Sequence, residues 1–280
     1  MKKTIISCVL FLTAVTAFSQ TPMKTAAEAK LSASDLAVKI ADRILATTTY
    51  EFKNTKTGKT YKSVKNLPLD MNVKVACKYN NWHYTNGVTH IALMELADKT
   101  GAKKYDDYVL KNMNFVFNEG NLDFFKKQYE QAMKNEGWYG VRKLSWHMIF
   151  RGKRLDDNGP MGASLIDLQM KHPNNSFLNY INETVEHLNY GEPRLADGTI
   201  ARIWPHENTI WADDAFMAIS FLARMAKMTG DMSYINDAAN QVIKYHKYLW
   251  CPEKRILYHC YHTDTDEHGV AHWSRANGWV

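Results

Sequence analysis

Acidic residues recur at equivalent points of two successive stretches of this sequence. Asp157 lies 15 residues before His172. Asp213 and Asp214 lie 16 and 15 residues before Thr229, which holds the corresponding place in the next stretch. Paired carboxylates can carry out acid and base chemistry on a glycosidic bond. The same aspartates can instead act as N-caps and first-turn acids that stabilise helices by about 1 kcal/mol each, and the spacing leaves both readings open.

Aromatic rings and cations are concentrated near these acids. An aromatic face covers the apolar face of a pyranose, and a guanidinium can pair bidentately with a uronate carboxylate. A single Trp is more often a core residue than a ligand contact. The clustering of these residues, and not any one of them, indicates a sugar-binding site. The cluster contains Trp82, Tyr84, Trp204, Trp211, His259, His272, Trp273, Arg275 and Trp279.

Four histidines near the C-terminus raise the question of a metal site. His259, His262, His268 and His272 lie within 14 residues of one another. Their spacing matches no structural zinc pattern. We therefore expect no metal and no cofactor.

An internal repeat shows which elements must position the candidate residues. Residues 92–101 form an apolar helix pattern with a Thr-Gly stop, and residues 221–230 repeat it. A weaker copy covers residues 165–172. The equivalent residues Thr100, His172 and Thr229 are 72 and 57 positions apart. Each unit predicts a helix, a tight turn and a returning helix. Residues 51–75 are rich in Lys, Thr and Asn and are predicted to form a loop.

The two helices of each unit differ in polarity. Residues 215–228 are apolar around most of the helix, whereas residues 234–248 are polar on one side. We therefore predict an all-α fold, a six-hairpin (α/α) barrel or toroid with an inner ring of parallel helices. Their N-termini would share one mouth, across which Asp157 and Asp213 would face each other.

The expected length of such a barrel exceeds the chain. Six hairpins of about 60 residues need on the order of 360 residues, and the chain has 280, or 261 without residues 1–19. We expect an incomplete barrel that lacks its C-terminal hairpins.

The N-terminal segment predicts export. Residues 1–19 combine Lys2 and Lys3, an apolar run and small residues at Ala17 and Ser19, the pattern of a cleavable secretory signal. Residues 20–33 form a polar spacer, and residues 34–280 the catalytic barrel domain. After cleavage no apolar run of about 18 residues is left. We predict a secreted protein, periplasmic in location, that does not contact the membrane.

Charge and cysteine content exclude other classes. The net charge is +6, and no block of five like charges occurs, so we expect no nucleic-acid partner. Cys77, Cys251 and Cys260 remain after the signal, an odd set that cannot form a disulfide framework. One bridge between Cys251 and Cys260 is left open.

Specific motifs resemble glycoside hydrolase families 105 and 88, the unsaturated rhamnogalacturonyl and unsaturated glucuronyl hydrolases. The resemblance runs from about Trp82 to Val280. Its motifs are Trp-Ala-Asp-Asp-Ala-Phe-Met at 211–217, Leu-Asp-Asp-Asn-Gly-Pro-Met-Gly at 155–162, Trp-Ser-Arg-Ala-Asn-Gly-Trp at 273–279 and the weaker Trp-His-Tyr at 82–84. It implies a six-hairpin α/α barrel.

The resemblance also implies an unusual reaction. These enzymes hydrate the C4=C5 double bond of the unsaturated uronic acid that a polysaccharide lyase leaves at the non-reducing end. By resemblance Asp213 is the general acid and base, and Asp157 is the second catalytic aspartate. The sugar site would contain His259, Arg275 and Trp279, with Trp82 and Tyr84 on its wall, and we add the rings of Trp211 and Trp273. Asp156 and Asp214 are expected to be helix-start residues.

Several functions fit these observations. The leading hypothesis is a secreted enzyme that trims unsaturated galacturonyl-rhamnose products of pectin. Alternatives are an unsaturated glucuronyl hydrolase acting on glycosaminoglycan-type fragments, a non-catalytic sugar-binding toroid and a helical-repeat scaffold. The concentration of Trp, His and acids at helix starts argues against a scaffold. The sequence does not predict the oligomeric state.

Overall fold

The computed structural model describes residues 32–152 and 154–280. The predicted signal and nearly all of the polar spacer lie outside these residues. About 60% of the structure is helical, as the all-α prediction requires. The chain divides into two compact units, one ending at Asp42 and the other running from Arg43 to Val280. Helix α1 comprises Ala33–Thr47, and the elements described below belong to the second unit.

Helical hairpins follow the predicted repeat. Their turns end the first helix at Gly101 and Gly230, whose φ angles are 69° and 76°, a conformation that glycine adopts without strain. The hairpins are α2 (Tyr84–Thr100) with α3 (Lys104–Val116), α6 (Leu155–Lys171) with α7 (Asn175–Glu186), and α8 (Ala212–Thr229) with α9 (Met232–Leu249). A π-helical turn, His187–Gly191, follows α7.

The first helices of the hairpins form an inner row. Helix α6 packs between α2 and α8, and the short helix α10 (Ser274–Trp279) packs against α8. Close backbone contacts need glycine at two crossings: a Cβ on Gly159 would lie 2.0 Å from the Met217 carbonyl oxygen, and one on Gly87 would lie 2.4 Å from the carbonyl carbon of Pro160. These contacts join the N-terminal parts of the helices, and the ion pairs Lys171–Asp98 and Arg224–Asp167 join their C-terminal parts. The helices are therefore parallel and share one mouth.

Burial explains which helices form the inner row. Helix α8 buries residues around most of its circumference. Helix α9 buries only the stripe of Ala238, Gln241, Tyr245 and Leu249, which recurs at helical spacing on one face. The predicted layering of apolar inner and amphipathic outer helices is confirmed.

Two helices that the repeat did not predict lie between the first two hairpins. They are α4 (Glu119–Val141), which is interrupted at Gly137, and the one-turn helix α5 (Met148–Arg151). This insertion accounts for the longer spacing of the first two repeat units.

Short antiparallel strands connect the helices. The predicted loop at 51–75 is wrong in part, because it contains a sheet of order β2-β1-β3 formed by Phe52–Asn54 (β1), Thr60–Tyr61 (β2) and Val73–Val75 (β3). A second sheet, of order β4-β7-β8, comprises Thr209–Trp211, Cys260–His262 and Glu267–His268. A two-stranded ribbon joins Trp250–Cys251 (β5) to Ile256–Leu257 (β6). Strands of two or three residues are too short to show an alternating pattern.

The described residues also test the predictions about membrane spans and about the cysteines. No helix between Ser32 and Val280, residue 153 aside, combines the length and apolarity needed to cross a membrane. Cys251 and Cys260 are free thiols, so the bridge left open by the sequence is not formed in this structure.

Candidate active site

The Asp213 carboxylate, in the first turn of α8, is buried and surrounded by hydrogen-bond donors. Its Oδ2 lies 3.0 Å from His259 Nε2, and its Oδ1 accepts a hydrogen bond of 3.2 Å from Trp279 Nε1. Arg275 Nη2 lies 3.6 Å from the same Oδ1. The four sequence-predicted residues therefore meet at one carboxylate, although they span 67 positions of the chain.

The second sheet positions His259. Strand β4 pairs with β7, and the hydrogen bond from Ala212 N–H to the His259 carbonyl, 2.9 Å, continues that pairing into the start of α8. The imidazole lies between two indoles: its centroid is 4.8 Å from Trp211, edge-on, and 5.9 Å from Trp273, stacked. The rotamer of His259 is thereby fixed toward Asp213.

Helix α10 supplies the indole and the cation, and α2 supplies the facing ring. The Trp279 ring packs on Phe216 at 5.2 Å and meets the edge of Tyr84 at 6.4 Å. The Arg275 guanidinium lies 6.0 Å from the Tyr84 ring and 5.4 Å from the Trp273 ring. The side chain of Arg275 is 48% exposed, so it can move to meet a ligand.

Asp157 lies at the same mouth but in a different environment. It is the third residue of α6 and is buried, and Arg151 donates to both of its oxygens. Burial raises the pKa of Asp157, and the Arg151 guanidinium opposes that rise. The carboxylate is thus already paired, and a role in catalysis requires Arg151 to share it with the substrate.

The prediction that Trp82 forms part of the sugar-facing wall is wrong. The side chain is fully buried, and its ring packs edge-to-face on Tyr180 at 4.7 Å. Its Nε1 donates to the Asp157 carbonyl oxygen at 2.9 Å. A buried ring offers no face to a sugar, so Trp82 instead fixes the backbone beneath Asp157.

Asp156 and Asp214 lie in the first turns of α6 and α8, the positions expected of helix-start residues. Asp214 is fully buried, and burial raises its pKa to about 7 although the adjacent Arg202 opposes the rise. Arg202 donates to both oxygens of Asp214 at 2.7 Å and to Asp156 at 3.2 Å, with its guanidinium 4.9 Å from the Trp211 ring. Arg202 therefore ties the starts of α6 and α8 together.

Arg151 and Arg202 are site residues that the sequence did not predict. Both precede an inner helix in segments without helical periodicity, so no pattern marked them. Their only sequence signal is a basic residue upstream of each acidic motif, 5 residues before Asp156 and 11 residues before Asp213. In the described part of the chain no group of three His, Cys, Asp or Glu side chains is arranged to hold a metal ion.

The family comparison supports the resemblance inferred from the motifs. The model of Glycosyl Hydrolase Family 88 matches residues 56–280. Among curated proteins, the unsaturated rhamnogalacturonyl hydrolase YesR of Bacillus subtilis (strain 168) is 25% identical over 188 residues, which cover 60% of this chain and 52% of that protein. The chain therefore spans about half the length of this curated relative.

Solved structures show the fold. A family-105 glycoside hydrolase from C. acetobutylicum ATCC 824 aligns with a TM-score of 0.58 and 21% identity, covering 89% of this chain and 56% of that chain. The GH76A α-1,6-mannanase of Salegentibacter sp. HEL1_6 aligns with a TM-score of 0.50 and 14% identity, covering 88% and 61%. With the family model matching most of its length, the chain belongs to glycosyl hydrolase family 88.

Proposed function

We propose that this chain carries the active site of a hydrolase that removes the unsaturated uronic acid from lyase-generated oligosaccharides. The observation that carries the proposal is the buried Asp213 carboxylate at the mouth of the inner helices, with His259, Arg275 and Trp279 directed at it. An acid beside an arginine and aromatic faces suits a sugar that bears a carboxylate. The curated relative named above is an unsaturated rhamnogalacturonyl hydrolase.

In the proposed reaction Asp213 acts first as an acid. It gives its proton to C4 while the C4=C5 π electrons form the new C–H bond, and the positive charge at C5 is shared with the ring oxygen. Water then adds at C5 and returns a proton to Asp213. The resulting hemiketal opens, and the hemiacetal left at C1 breaks down and releases the next sugar.

The neighbours of Asp213 fit both halves of this cycle. The Arg275 contact to Asp213 is 3.6 Å, longer than an ordinary hydrogen bond, and Arg275 is half-exposed. A substrate carboxylate can therefore draw the guanidinium away and leave the second lone pair of Oδ1, beside the Trp279 hydrogen bond, to carry the proton. His259 and Trp279 keep the carboxyl group oriented during the exchange.

The substrate class can be proposed from the curated relative. Because that relative is an unsaturated rhamnogalacturonyl hydrolase, we propose that the substrate is unsaturated galacturonyl-rhamnose from pectin. Loss of the enol-ether ultraviolet absorbance is to be followed with an unsaturated galacturonyl-rhamnose disaccharide and, side by side, an unsaturated glucuronyl amino-sugar disaccharide. Faster loss with the first supports the proposal. Faster loss with the second assigns the chain to glycosaminoglycan-type fragments, and no loss with either contradicts the hydration chemistry.

We also propose that the protein is exported to the periplasm, on the pattern of residues 1–19. Fractionation of cells that express the full chain is the test. Recovery of a shortened chain with the periplasmic proteins is expected, and a full-length chain in the cytoplasm would contradict it.

A further inference from the structure

A cavity of about 370 Å³ adjoins the candidate active site. Tyr84 and Asp157 belong to both. Most of the remaining wall is formed by the inserted helices α4 and α5 and by the segment leading into α6. Trp204, in the segment before β4, adds one aromatic ring. The main residues of the cavity are Trp138, Arg142, Arg151, Arg154 and Trp204, and we call it the arginine pocket.

The arginine pocket contains cations without carboxylate partners. Arg151 is paired with Asp157. Within residues 32–152 and 154–280, no carboxylate oxygen lies within 4.0 Å of a guanidinium nitrogen of Arg142 or Arg154. Burial lowers the pKa of Arg154, and the nearby positive charge of Arg151 adds to that shift, whereas the Asp157 and Asp156 carboxylates, which also line the pocket, oppose it. A bound anion would relieve the repulsion between the Arg151 and Arg154 guanidinium groups.

Exposed aromatic surface accompanies the unpaired charge. The Arg154 guanidinium lies 4.1 Å from the Trp204 ring centroid, and Trp204 is 58% exposed. Trp138, on the inserted helix α4, lies beneath the Arg151 guanidinium at 5.1 Å and is 36% exposed. Flat rings beside planar guanidinium groups match a pyranose that carries a negative group.

We propose that the arginine pocket binds an acidic sugar, carboxylated or sulfated, in the part of the oligosaccharide beyond the bond that is cleaved. The position of this acidic sugar within the substrate rests on the proposed function of Asp213. Tyr84 lines the pocket and contacts Trp279, which donates to the Asp213 carboxylate, so the pocket adjoins the reacting sugar. Arg142 and Arg154 donate to the anion, and Trp204 offers its free face to the ring.

Binding without turnover tests the proposal independently of catalysis. The probes are a saturated galacturonate-rhamnose tetrasaccharide, the same tetrasaccharide with its carboxylates reduced to alcohols, and a sulfated saturated disaccharide. The proteins are the wild-type chain, Arg142→Gln, Arg154→Gln and the control Lys126→Gln. The control removes one exposed cation from the same inserted helix as Trp138. Dissociation constants are measured by calorimetry.

We expect the wild type to bind at least one acidic probe about tenfold or more tighter than the reduced one, as a charge-assisted contact provides. Arg142→Gln, at an exposed position that should not disturb folding, and Arg154→Gln each weaken that binding about tenfold, and Lys126→Gln does not. Preference for the carboxylated or the sulfated probe identifies the natural anion, and either preference supports the pocket.

Equal affinity of the wild type for acidic and reduced probes would overturn the proposal. So would wild-type affinity in both arginine variants. Because none of the probes has a double bond, these results do not depend on hydration, and failure of the pocket remains distinguishable from failure of the proposed reaction.

Discussion

Trp279 donates its indole N–H to Oδ1 of Asp213 across 3.2 Å. The two residues lie in different helices of the inner row, α10 and α8, and α10 brings Arg275 to the same carboxylate. The packing of the two helices thus sets the surroundings of the candidate acid.

The crossing of α6 and α8 should be sensitive to a single methyl group. Gly159→Ala would place a Cβ 2.0 Å from the Met217 carbonyl oxygen, so the helices must separate and shift Asp157 relative to Asp213. We expect a loss of about 3 kcal/mol or more in the free energy of unfolding and a fall in turnover. The control is Gly278→Ala, because its Cβ would meet nothing within 4 Å. Equal effects of the two changes in urea unfolding would refute the crossing argument.

Removing Arg202 should destabilise the mouth of the inner row. Arg202→Met leaves the fully buried Asp214 without its partner, which costs about 3–5 kcal/mol when a buried pair is broken. Arg194→Met is the control, since the Arg194–Asp237 pair is about one-quarter exposed and should contribute about 1 kcal/mol. Chemical denaturation measures both. Similar losses in the two variants would show that the buried Arg202–Asp214 pair contributes no more stability than a partly exposed one.

Stability should depend on pH through His90. The ring is fully buried, and burial lowers its pKa to about 3 from the ordinary 6.5. Between these values the unfolded chain binds a proton and the folded chain does not, so stability falls as the pH drops below about 6.5. The contribution of this group is about 1.4 kcal/mol per pH unit.

His90→Gln should therefore flatten the acidic side of the stability profile, whereas His172→Gln, at an exposed site, should not. Unfolding free energies measured in urea at pH 7.5 and pH 5 give the comparison. An unchanged difference between the two pH values in His90→Gln would contradict the assignment.

Helices α2 and α8 could be predicted from the sequence because each is an apolar run that ends at a Thr-Gly stop, which is a local signal. Helix α4 could not, because its buried positions, Phe124, Phe125, Gln128 and Ala132, belong to no repeat. The meeting of Asp213, His259 and Arg275 followed from the family motifs rather than from spacing. Arg202 lies in an irregular segment, where partners are decided by tertiary packing. For Trp82 the sequence could not distinguish a core ring from a surface ring, and the structure shows that the ring is fully buried.

Asp213 is the group that we expect to protonate and deprotonate the substrate. Asp213→Asn keeps a planar side chain of the same size, so folding should be nearly unchanged. Asp123→Asn, which changes an exposed carboxylate paired with Lys127, is the matched control. Circular dichroism and thermal unfolding verify the fold of both variants.

The most direct measurement is the rate at which enol-ether absorbance is lost when wild type, Asp213→Asn and Asp123→Asn are mixed with the unsaturated galacturonyl-rhamnose disaccharide. We expect steady loss with wild type and Asp123→Asn and no measurable loss with Asp213→Asn. A folded Asp213→Asn variant that retains more than about a tenth of the wild-type rate would rule out Asp213 as the essential acid and base, since removing such a group costs at least about 10²-fold.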